Sequence, residues 1–305
     1  MNRFLKEKDC DDMPLVSVVM PVYNGERFLK ESIDSILLQS YKKFELIIWN
    51  DGSSDRTSDI VATYTDKRIR YFYHTNTGLG EALAMACEKV RGKYIARIDC
   101  DDICMPNRLE KQVLFLENHP DYCLASSSVL YIDENGTILG RSFPWTWNVN
   151  VKKRDNIVHP ATMFRHEAYI KTGGYLKLKL LEDKTLWARM SRFGKITNLK
   201  APLIKYRILS NSMSHAINPN SKYFNQYLKM RGKLLSTEIP SESDIKAFND
   251  IFIMVRNDTP NREMFAIKTS PLETVYKTLK ILCGCKLSEQ FVFLFSNIYA
   301  YLRFL

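Results

Sequence analysis

Hydrophobic positions along the first hundred residues follow two alternating spacings. Continuous β-rich apolar runs predict four buried strands, at residues 15–20, 44–49, 69–73 and 94–98. Between these runs, apolar residues recur at helical spacing, first at Phe28, Leu29, Ile33, Ile36 and Leu37. Strands that alternate with helices form parallel sheets with right-handed crossovers. The pattern therefore predicts an α/β fold in which helices flank a mostly parallel central sheet.

Polar segments follow three of the four predicted strands. They are Tyr23-Asn24, Asp51-Gly52-Ser53 and Asp99–Asp102. Each segment alone is typical of a turn, since Asn-Gly and Asp-Gly favour turns in any protein. In a parallel sheet, however, ligands bind beyond the carboxyl ends of the strands, where these three segments should converge. We therefore predict a nucleotide-type binding crevice at that edge.

Three carboxylates lie within four residues in the last of these segments, at Asp99, Asp101 and Asp102. Like charges so close together are stable where a divalent cation gathers them, or where water solvates them in a turn before a helix that begins near Pro106. The chain has neither the Gly-x-x-x-x-Gly-Lys-Ser/Thr phosphate loop nor the dinucleotide-binding fingerprint. Mg²⁺ or Mn²⁺ held by carboxylates is the natural substitute as a phosphate holder.

Composition says more about the class of binding partner than about the fold. The 305 residues are 45% hydrophobic and 26% charged, which is ordinary for a globular protein, and the net charge is +10. A basic surplus favours phosphate-bearing partners or an anionic membrane surface, but the basic residues are spread along the chain, which argues against nucleic acid. The seven cysteines show no paired spacing, and residues 1–14 are charged rather than signal-like. We therefore expect reduced thiols and a cytoplasmic protein.

The C-terminal third, residues 216–305, is predicted to be helical. Residues 223–235 and 243–255 have helical spacing, and the last stretch, from Phe291 to Leu305, is aromatic and apolar beside basic residues. This terminus is too short to span a bilayer. It fits either a helix that lies at a membrane surface or a terminal helix packed on the main domain or across a dimer.

Several motifs, in the order in which they occur, resemble those of the family 2 glycosyltransferases. They are Val18–Asn24, Asn50–Asp55, Asp99–Asp102, His159–Phe164, Gly173–Tyr175 and Leu181–Arg189. The resemblance covers roughly residues 15 to 215, and the combination is far more specific than any single motif. Members of this family are inverting sugar-nucleotide transferases with a GT-A fold. The resemblance therefore implies a metal-dependent glycosyltransferase that uses Mn²⁺ or Mg²⁺.

The resemblance also implies roles for individual residues on the donor side. Four residues would line the nucleoside pocket, namely Pro21, Tyr23, Asn24 and Glu26. Asp51 would hydrogen-bond the base, most often uracil, and Asp99 would face the ribose. Asp101 would bind the metal that bridges the diphosphate, with Asp102 in support.

Glu182 and Asp183 would form the acceptor side of the site. The resemblance implies that Asp183 is the catalytic base and that Glu182 helps to place the acceptor or the base. Displacement at an anomeric carbon needs a deprotonated acceptor hydroxyl on one face and a stabilised diphosphate on the other. From the residues alone, an ordinary pair of charges in the first turn of a helix that continues through Met190 is the commoner explanation.

The chain departs from the family pattern at two positions. The family commonly has Tyr-Arg-x-His, whose His helps to hold the diphosphate, whereas Leu209 occupies that place here. Arg207, Ser212 or His215 could replace it, and we expect Arg207 at the nucleotide and His215 either beside the metal or solvated. Met85 stands where the family often has Asn, and its helical spacing with apolar neighbours indicates a core position.

The segment between the two halves of the resemblance contains two features with open interpretations. Asp133–Thr137 predicts a hairpin turn that shapes the acceptor side. Trp145 and Trp147 follow closely. They could stack on a sugar ring or pack as core aromatics.

These predictions divide the chain into a tail (1–14), a catalytic domain (15–215) and a helical C-terminal region (216–305). Residues 15–102 would form the nucleotide-binding half of the catalytic domain and residues 103–215 the acceptor half. We expect a hexosyl- or N-acetylhexosaminyl-transferase that moves a sugar from a UDP-sugar to a hydroxyl of a glycan or lipid-linked glycan. Its role would be in surface polysaccharide synthesis. The protein itself would be cytoplasmic, with peripheral contact at the inner face of the cell membrane.

Two alternatives stay open at this point. A nucleotidyltransferase shares the acids at the strand ends, but it would normally have a Gly-rich loop bearing Lys or Arg near Pro21–Glu26, and none occurs there. A non-catalytic sugar-nucleotide-binding or scaffold protein of a polysaccharide assembly system would fit the loss of the family His at Leu209. Such a protein would not need both Asp101 and Asp183.

Overall fold

The structure is a computed structural model that describes residues 13–142, 157–209, 221–235 and 238–257. Nine strands lie in these ranges: β1 (Val16–Val22), β2 (Phe44–Asp51), β3 (Ile69–His74), β4 (Tyr94–Arg97), β5 (Ile103–Cys104), β6 (Tyr122–Ile132), β7 (Ile138–Arg141), β8 (Met163–Arg165) and β9 (Lys195–Arg207). Eight α-helices lie in the same ranges: α1 (Leu29–Leu37), α2 (Thr57–Ala62), α3 (Leu79–Cys87), α4 (Arg108–Asn118), α5 (His166–Lys171), α6 (Glu182–Met190), α7 (Phe224–Leu234) and α8 (Glu242–Asn257). A 3₁₀ turn at His159–Ala161 precedes β8.

The described strands form one sheet in the order β3-β2-β1-β4-β8-β6-β9-β5, with β7 beside β6. The first four strands are parallel neighbours, and α1, α2 and α3 lie in their connections, as the alternating pattern predicts. Beyond β4 the sheet is mixed, because β8 runs antiparallel to both β4 and β6, while β6 and β9 are parallel. The predicted α/β fold with a mostly parallel central sheet is confirmed, and the antiparallel pairs are an addition in the second half.

Strand β1 continues through Pro21 to Val22, two residues beyond its predicted end. Proline cannot donate to a sheet ladder, so it is rare inside a central strand. Pro21 removes no ladder hydrogen bond here. The last residue of β4 that pairs with β1 is Arg97, which lies opposite Val19, and β4 ends at Arg97. On its other side Pro21 lies opposite Trp49 of β2. On the β4 side, the paired strand has therefore already ended at the position of Pro21.

Both faces of the sheet are buried, which explains why its strands are apolar without interruption. On one face, Val16, Val18 and Met20 pack with apolar residues of α1 and α4. On the other face, Val19 and Ile47 pack with residues of α3 and α6. Met85 of α3 lies partly buried against this second cluster, which confirms its predicted core position.

A third apolar cluster joins α7 and α8 to the segment before α6. Leu176, Leu178 and Leu181 pack with apolar residues of both helices. The side chain of Asn249 in α8 adds two hydrogen bonds, since it accepts from Lys179 N at 3.0 Å and donates to the Lys177 carbonyl at 3.0 Å. These contacts fix the residues that lead directly into the first turn of α6.

The helices α7 and α8 belong to the same compact unit as the sheet, and this unit extends to Arg256. A second unit begins at Asn257. The predicted division at residue 215 stays a prediction, and the tail 1–12 and the apolar terminus 291–305 lie outside the described residues. Over the described part of the chain, no helix combines the length and apolarity needed to cross a membrane.

Candidate active site

The loops after β1 and β2 are joined to each other by reciprocal hydrogen bonds. Asn24 N donates to Ser53 Oγ at 2.9 Å, and Asn24 Oδ1 accepts from Ser54 N at 2.9 Å. Glu26 N likewise donates to Asp55 Oδ2 at 2.9 Å. Asn24 has a φ of 52°, a left-handed conformation that Asn tolerates better than most residues. Two segments that are distant in sequence therefore form one rim at the carboxyl edge of the sheet.

Tyr23 and Pro21, both predicted to line the nucleoside pocket, differ sharply in exposure. The side chain of Tyr23 is 55% exposed beside the rim, whereas Pro21 is buried within β1. An exposed aromatic ring at a strand end is free to stack on a planar ligand. Tyr23 can therefore contact a planar ligand directly, whereas the buried Pro21 is not exposed to line a pocket, and the nucleoside contacts of both stay a prediction.

Asp51, at the end of β2, binds the loop that follows β3. Its Oδ1 accepts from Thr77 N at 2.9 Å, and its Oδ2 accepts from Gly78 N at 2.9 Å. A Cβ on Gly52, whose φ is +76°, would lie 2.6 Å from Asn76 N, so the two loops approach as closely as glycine allows. An ionised carboxylate offers about four acceptor positions, so Asp51 keeps acceptor capacity, and its contact with a base stays a prediction.

The carboxylates of Asp99, Asp101 and Asp102 each place an oxygen within 4.8 Å of the others. Burial and then the charge of Asp99 raise the pKa of Asp101 to about 6, and burial with both neighbouring acids raises the pKa of Asp102. Asp102 Oδ1 accepts from Arg207 N at 2.9 Å, but its buried Oδ2 has no hydrogen-bond partner in the described part of the chain. A cluster of oxygens with this excess of negative charge fits a divalent cation such as Mg²⁺ or Mn²⁺.

Arg97, the last residue of β4, pairs with the first of these acids. Its guanidinium contacts Asp99 through two parallel contacts, Nη1 to Oδ2 at 2.5 Å and Nη2 to Oδ1 at 2.5 Å. Burial opposes the charge of Arg97, but the combined effects of Asp99, Tyr175 and Asp102 outweigh it, so the pKa of Arg97 is raised. The buried guanidinium is therefore a fixed positive charge beside the acids.

Arg207, at the end of β9, lies beneath the acidic turn instead of in the open crevice. Its Nε donates to the Asp101 carbonyl at 2.8 Å, and its Nη1 donates to the carbonyls of Asp133 and Glu134 in the β6–β7 turn. Its Nη2 pairs with Glu31 of α1 at 2.6 Å. The guanidinium thus joins the acidic turn, the predicted hairpin and α1, and a direct contact of Arg207 with the nucleotide stays a prediction.

The first turn of α6 carries the second acidic pair. Leu181, immediately before it, has a φ of 66°, a conformation that is costly for a branched apolar residue and is typical of functional sites. Glu182 is buried, Asp183 is half-buried, and Asp183 Oδ1 accepts from Lys184 N at 2.7 Å. The left-handed residue Leu181 thus sets the direction in which the chain enters α6, immediately before these two acids.

Glu182 faces both a buried histidine and the acids of the donor side. His159 Nδ1 lies 3.6 Å from Glu182 Oε1, and His159 Nε2 lies 2.8 Å from the Tyr175 hydroxyl. Burial and then Asp183 raise the pKa of Glu182 to about 8, with Arg97 lowering it and Asp99 raising it further. Two contacts link Glu182 to Arg97 through residues 159–162: His159 lies 3.6 Å from Glu182, and the Thr162 carbonyl accepts from Arg97 N at 3.0 Å. Glu182 therefore lies near the Arg97–Asp99 pair, and its role at the acceptor stays a prediction.

The model of the family described as glycosyl transferase family 2 matches residues 17–170, which is half of the chain. The chain belongs to glycosyltransferase family 2. Among similar proteins, EpsE of Bacillus subtilis, named as a glycosyltransferase, is 39% identical over 203 residues, covering 64% of this chain and 73% of EpsE. An uncharacterised glycosyltransferase of Methanocaldococcus jannaschii is 39% identical over 208 residues, covering 65% of this chain and 72% of that protein.

Solved structures of S. aureus TarS share the fold of this family 2 chain. The complex of TarS 1–349 with UDP-GlcNAc matches with a TM-score of 0.60 and 20% identity over 85% of this chain and 77% of the TarS 1–349 chain. The complex of TarS 1–349 with UDP matches with a TM-score of 0.58 and 19% identity over 86% of this chain and 77% of that chain. These structures confirm the predicted GT-A fold, and the family match with its curated relatives confirms the predicted glycosyltransferase.

In this family 2 chain, Asp99, Asp101 and Asp102 form one cluster. Glu182, with Asp183 beside it in the first turn of α6, is linked to Arg97 through residues 159–162. The remaining predicted donor-side residues lie on the adjoining rim or beneath it, as described above. His215, Ser212, Trp145 and Trp147 lie outside the described residues. The hairpin predicted at Asp133–Thr137 joins β6 to β7, with Asp133 N donating to the Thr137 carbonyl at 3.0 Å.

Sequence reasoning missed Arg97, Glu31 and the His159–Tyr175 pair. A signal for Arg97 was present, because it is a charged residue inside an apolar strand pattern and lies two positions before Asp99. In an extended chain, residues two apart face the same side. Glu31 and Tyr175 gave no comparable signal, since their partners Arg207 and His159 are distant along the chain.

The raised pKa of Glu182 predicts that this residue makes the stability of the protein depend on pH. A carboxyl group whose pKa is raised from 4.5 to about 8 by folding stabilises the fold fully below pH 4.5, and this stabilisation is lost as the pH rises toward 8. Glu182→Gln keeps the neutral form at every pH. We expect the metal-free wild type to match this variant near pH 5 and to melt on the order of 5 °C below it at pH 8.

Thermal unfolding followed by circular dichroism at pH 5 and pH 8 measures this difference. Glu242→Gln is the matched control, because Glu242 is an exposed acid in the first turn of α8. That variant should follow the wild type at both pH values. Melting curves of Glu182→Gln that run parallel to the wild type between the two pH values would show that Glu182 ionises normally.

Proposed function

We propose that this enzyme is an inverting, metal-dependent transferase that moves a sugar from a UDP-sugar to a hydroxyl group of a glycan or lipid-linked glycan. The observation that carries the proposal is the cluster of carboxylates after β4, with the buried Glu182 linked to Arg97 through residues 159–162. Asp183 follows Glu182 in the first turn of α6. The TarS complexes with UDP and UDP-GlcNAc support a uridine nucleotide as the donor carrier.

The donor side would bind the nucleotide through side chains of the rim and of the acidic turn. The exposed ring of Tyr23 would stack on the base, Asp51 would accept a hydrogen bond from it, and Asp99 would accept one from the ribose. Asp101, with the free oxygen of Asp102, would hold Mn²⁺ or Mg²⁺. When bound, such a cation stabilises the negative charge that develops on the departing diphosphate.

The acceptor side would supply the base. As the acceptor oxygen forms its bond to the anomeric carbon, its proton passes to the Asp183 carboxylate, and the bond between that carbon and the UDP oxygen breaks. Attack from the face opposite the leaving group inverts the configuration. Glu182, protonated near neutral pH because of its raised pKa, would orient Asp183 or the acceptor. Asp183 would then be the single base of the pair.

The hexosyl or N-acetylhexosaminyl identity of the sugar, the glycan acceptor and a role in surface polysaccharide synthesis belong to the same proposal. A cytoplasmic enzyme with a peripheral contact at the inner face of the membrane would meet both a soluble donor and a lipid-linked acceptor. The net charge of +10 supports such a contact, since anionic lipids attract basic proteins. Residues 15–102 would then bind the nucleotide and residues 103–215 the acceptor.

A panel of UDP-, GDP- and dTDP-sugars, scored by release of the nucleoside diphosphate with and without Mn²⁺, tests this proposal. We expect at least one UDP-sugar to be turned over in a reaction that EDTA stops and Mn²⁺ restores. Release of a nucleoside monophosphate would instead indicate cleavage within the diphosphate. Binding of UDP without turnover of any donor, in the presence of a panel of glycan acceptors, would favour a non-catalytic binding protein.

A further inference from the structure

Arg97 has an unusual combination of burial and pairing for a residue at the base of a crevice. Its side chain is 3% exposed, while that of its partner Asp99 is 30% exposed. The two parallel contacts at 2.5 Å hold the Asp99 carboxylate in one orientation, as a planar guanidinium does when it binds both oxygens. The arginine is therefore enclosed, and the carboxylate presents its outer edge to the crevice.

The backbone groups at the end of β4 are bound by partners other than the Arg97 side chain. Another buried arginine, Arg108 of α4, donates from Nη2 to the carbonyls of Arg97 at 2.6 Å and Thr162 at 3.0 Å. The backbone amide of Arg97 donates to the Thr162 carbonyl at 3.0 Å. Among the described residues, Asp99 alone accepts hydrogen bonds from the Arg97 guanidinium, and Arg97 Nε is buried without a partner.

A buried donor without a partner is costly, and the cost needs a reason other than strand pairing. The position of Arg97 among the acids provides one. Its charge favours the ionised forms of Asp101 and Glu182, one from each acidic group. Its direct contacts, however, go to Asp99 and leave Asp101 unbound by the guanidinium. The guanidinium thus contacts the Asp99 carboxylate directly and acts on Asp101 only through its charge.

We propose that Arg97 is a positioning residue that holds Asp99 for the ribose hydroxyls of the donor and keeps it out of the ligand set of the metal. A carboxylate bound through both oxygens retains outer lone pairs for hydroxyl donors. Its charge is already compensated, so it attracts a cation less strongly than Asp101 does. This inference rests on the proposed function, because it assumes that the donor is a nucleotide.

Calorimetric binding of UDP and of 3′-deoxy-UDP, both with Mn²⁺, tests the proposal without turnover. We expect the wild type to bind UDP about tenfold more tightly than the deoxy analogue, as a hydrogen bond to a charged group allows. In Arg97→Met this ratio should fall to about twofold. Arg97→Lys keeps the charge but cannot bind both oxygens, so its ratio should lie between the two, and it carries the test if Arg97→Met does not fold.

Arg70→Met is the matched control. Arg70 pairs with Glu45 at 2.6 Å, the two side chains are 21% and 8% exposed, and both residues lie near the amino ends of their strands, away from the crevice. Removing this pair should lower the melting temperature without changing the preference for UDP over 3′-deoxy-UDP. A loss of that preference in Arg70→Met would mean that Arg97 acts through stability alone, and would overturn the proposal.

Mn²⁺ binding provides the second readout. Electron paramagnetic resonance of free Mn²⁺ in the presence of UDP should show that Arg97→Met binds the ion at least as tightly as the wild type, since a positive charge has been removed. Weaker Mn²⁺ binding in Arg97→Met, or an unchanged preference for UDP over the deoxy analogue, would overturn the inference. A wild type that binds no UDP at all would instead refute the proposed function.

Discussion

Asp183→Asn should lower kcat about a thousandfold, as expected when a general base is lost, and should leave the affinity for UDP within about twofold of the wild type. The amide has nearly the shape of the carboxylate, and its oxygen can still accept from Lys184 N as Asp183 Oδ1 does. It cannot take the acceptor proton. Initial rates at saturating donor, together with calorimetric binding of UDP, separate the chemical step from donor binding.

The same variant distinguishes a base from an ordinary helix charge. An acid in a first helical turn contributes about 0.3–1 kcal/mol to stability, so a helix charge would affect melting and hardly affect turnover. Glu242→Gln in the first turn of α8 is the control for that effect, and it should retain wild-type kcat. If Asp183→Asn turned over at a rate close to the wild type, Asp183 would not be the base.

Asp101→Asn should lower kcat about a hundredfold or more and should abolish the ability of Mn²⁺ to strengthen UDP binding. The raised pKa of Asp101 reflects burial and repulsion by Asp99, an arrangement that a divalent cation relieves and an amide cannot exploit. UDP affinity with Mn²⁺ and with EDTA measures the effect. In the wild type the two affinities should differ, and in Asp101→Asn they should coincide.

An exposed carboxylate outside the cluster is the control for this prediction. Asp121→Asn removes a surface charge that pairs with Lys195 at 2.8 Å before β6, and it should keep both turnover and the Mn²⁺ effect. Turnover that resists chelation in the wild type would exclude the metal role of Asp101. Retained Mn²⁺ dependence in Asp101→Asn would transfer that role to Asp102, whose buried Oδ2 has no partner in the described ranges.

The first half of the fold could be predicted closely because its determinants are local. Each apolar run is one strand, and Asp99 follows the end of β4 as the spacing predicts. The predicted end of β2 at Trp49 was wrong, because Asn50 and Asp51 belong to the strand and not to the loop. Strand β1 was predicted to end at Met20, two residues too early, because proline was taken as a strand end. Only the length of the neighbouring strand β4, which a local pattern does not contain, permits proline there.

The second half and the contacts within the site depend on pairs that are distant along the chain. Strand β8 has three residues, which is too short for a periodic signal, yet it joins β4 to β6. Arg207 has partners in α1 and in the hairpin, more than seventy positions away. The family resemblance led to the prediction that Arg207 contacts the nucleotide, but it could not show that its guanidinium would be occupied by protein groups.

The joined loops after β1 and β2 have a consequence for engineering donor preference. Asn24 and Ser53 each complete a hydrogen bond that the other loop requires, so neither loop has a defined shape alone. Substitutions in such partners are not additive. A graft of one loop from another transferase would leave its hydrogen bonds unmatched, whereas a graft of both together preserves them. The smallest exchangeable unit for the proposed base recognition therefore contains at least this pair of loops.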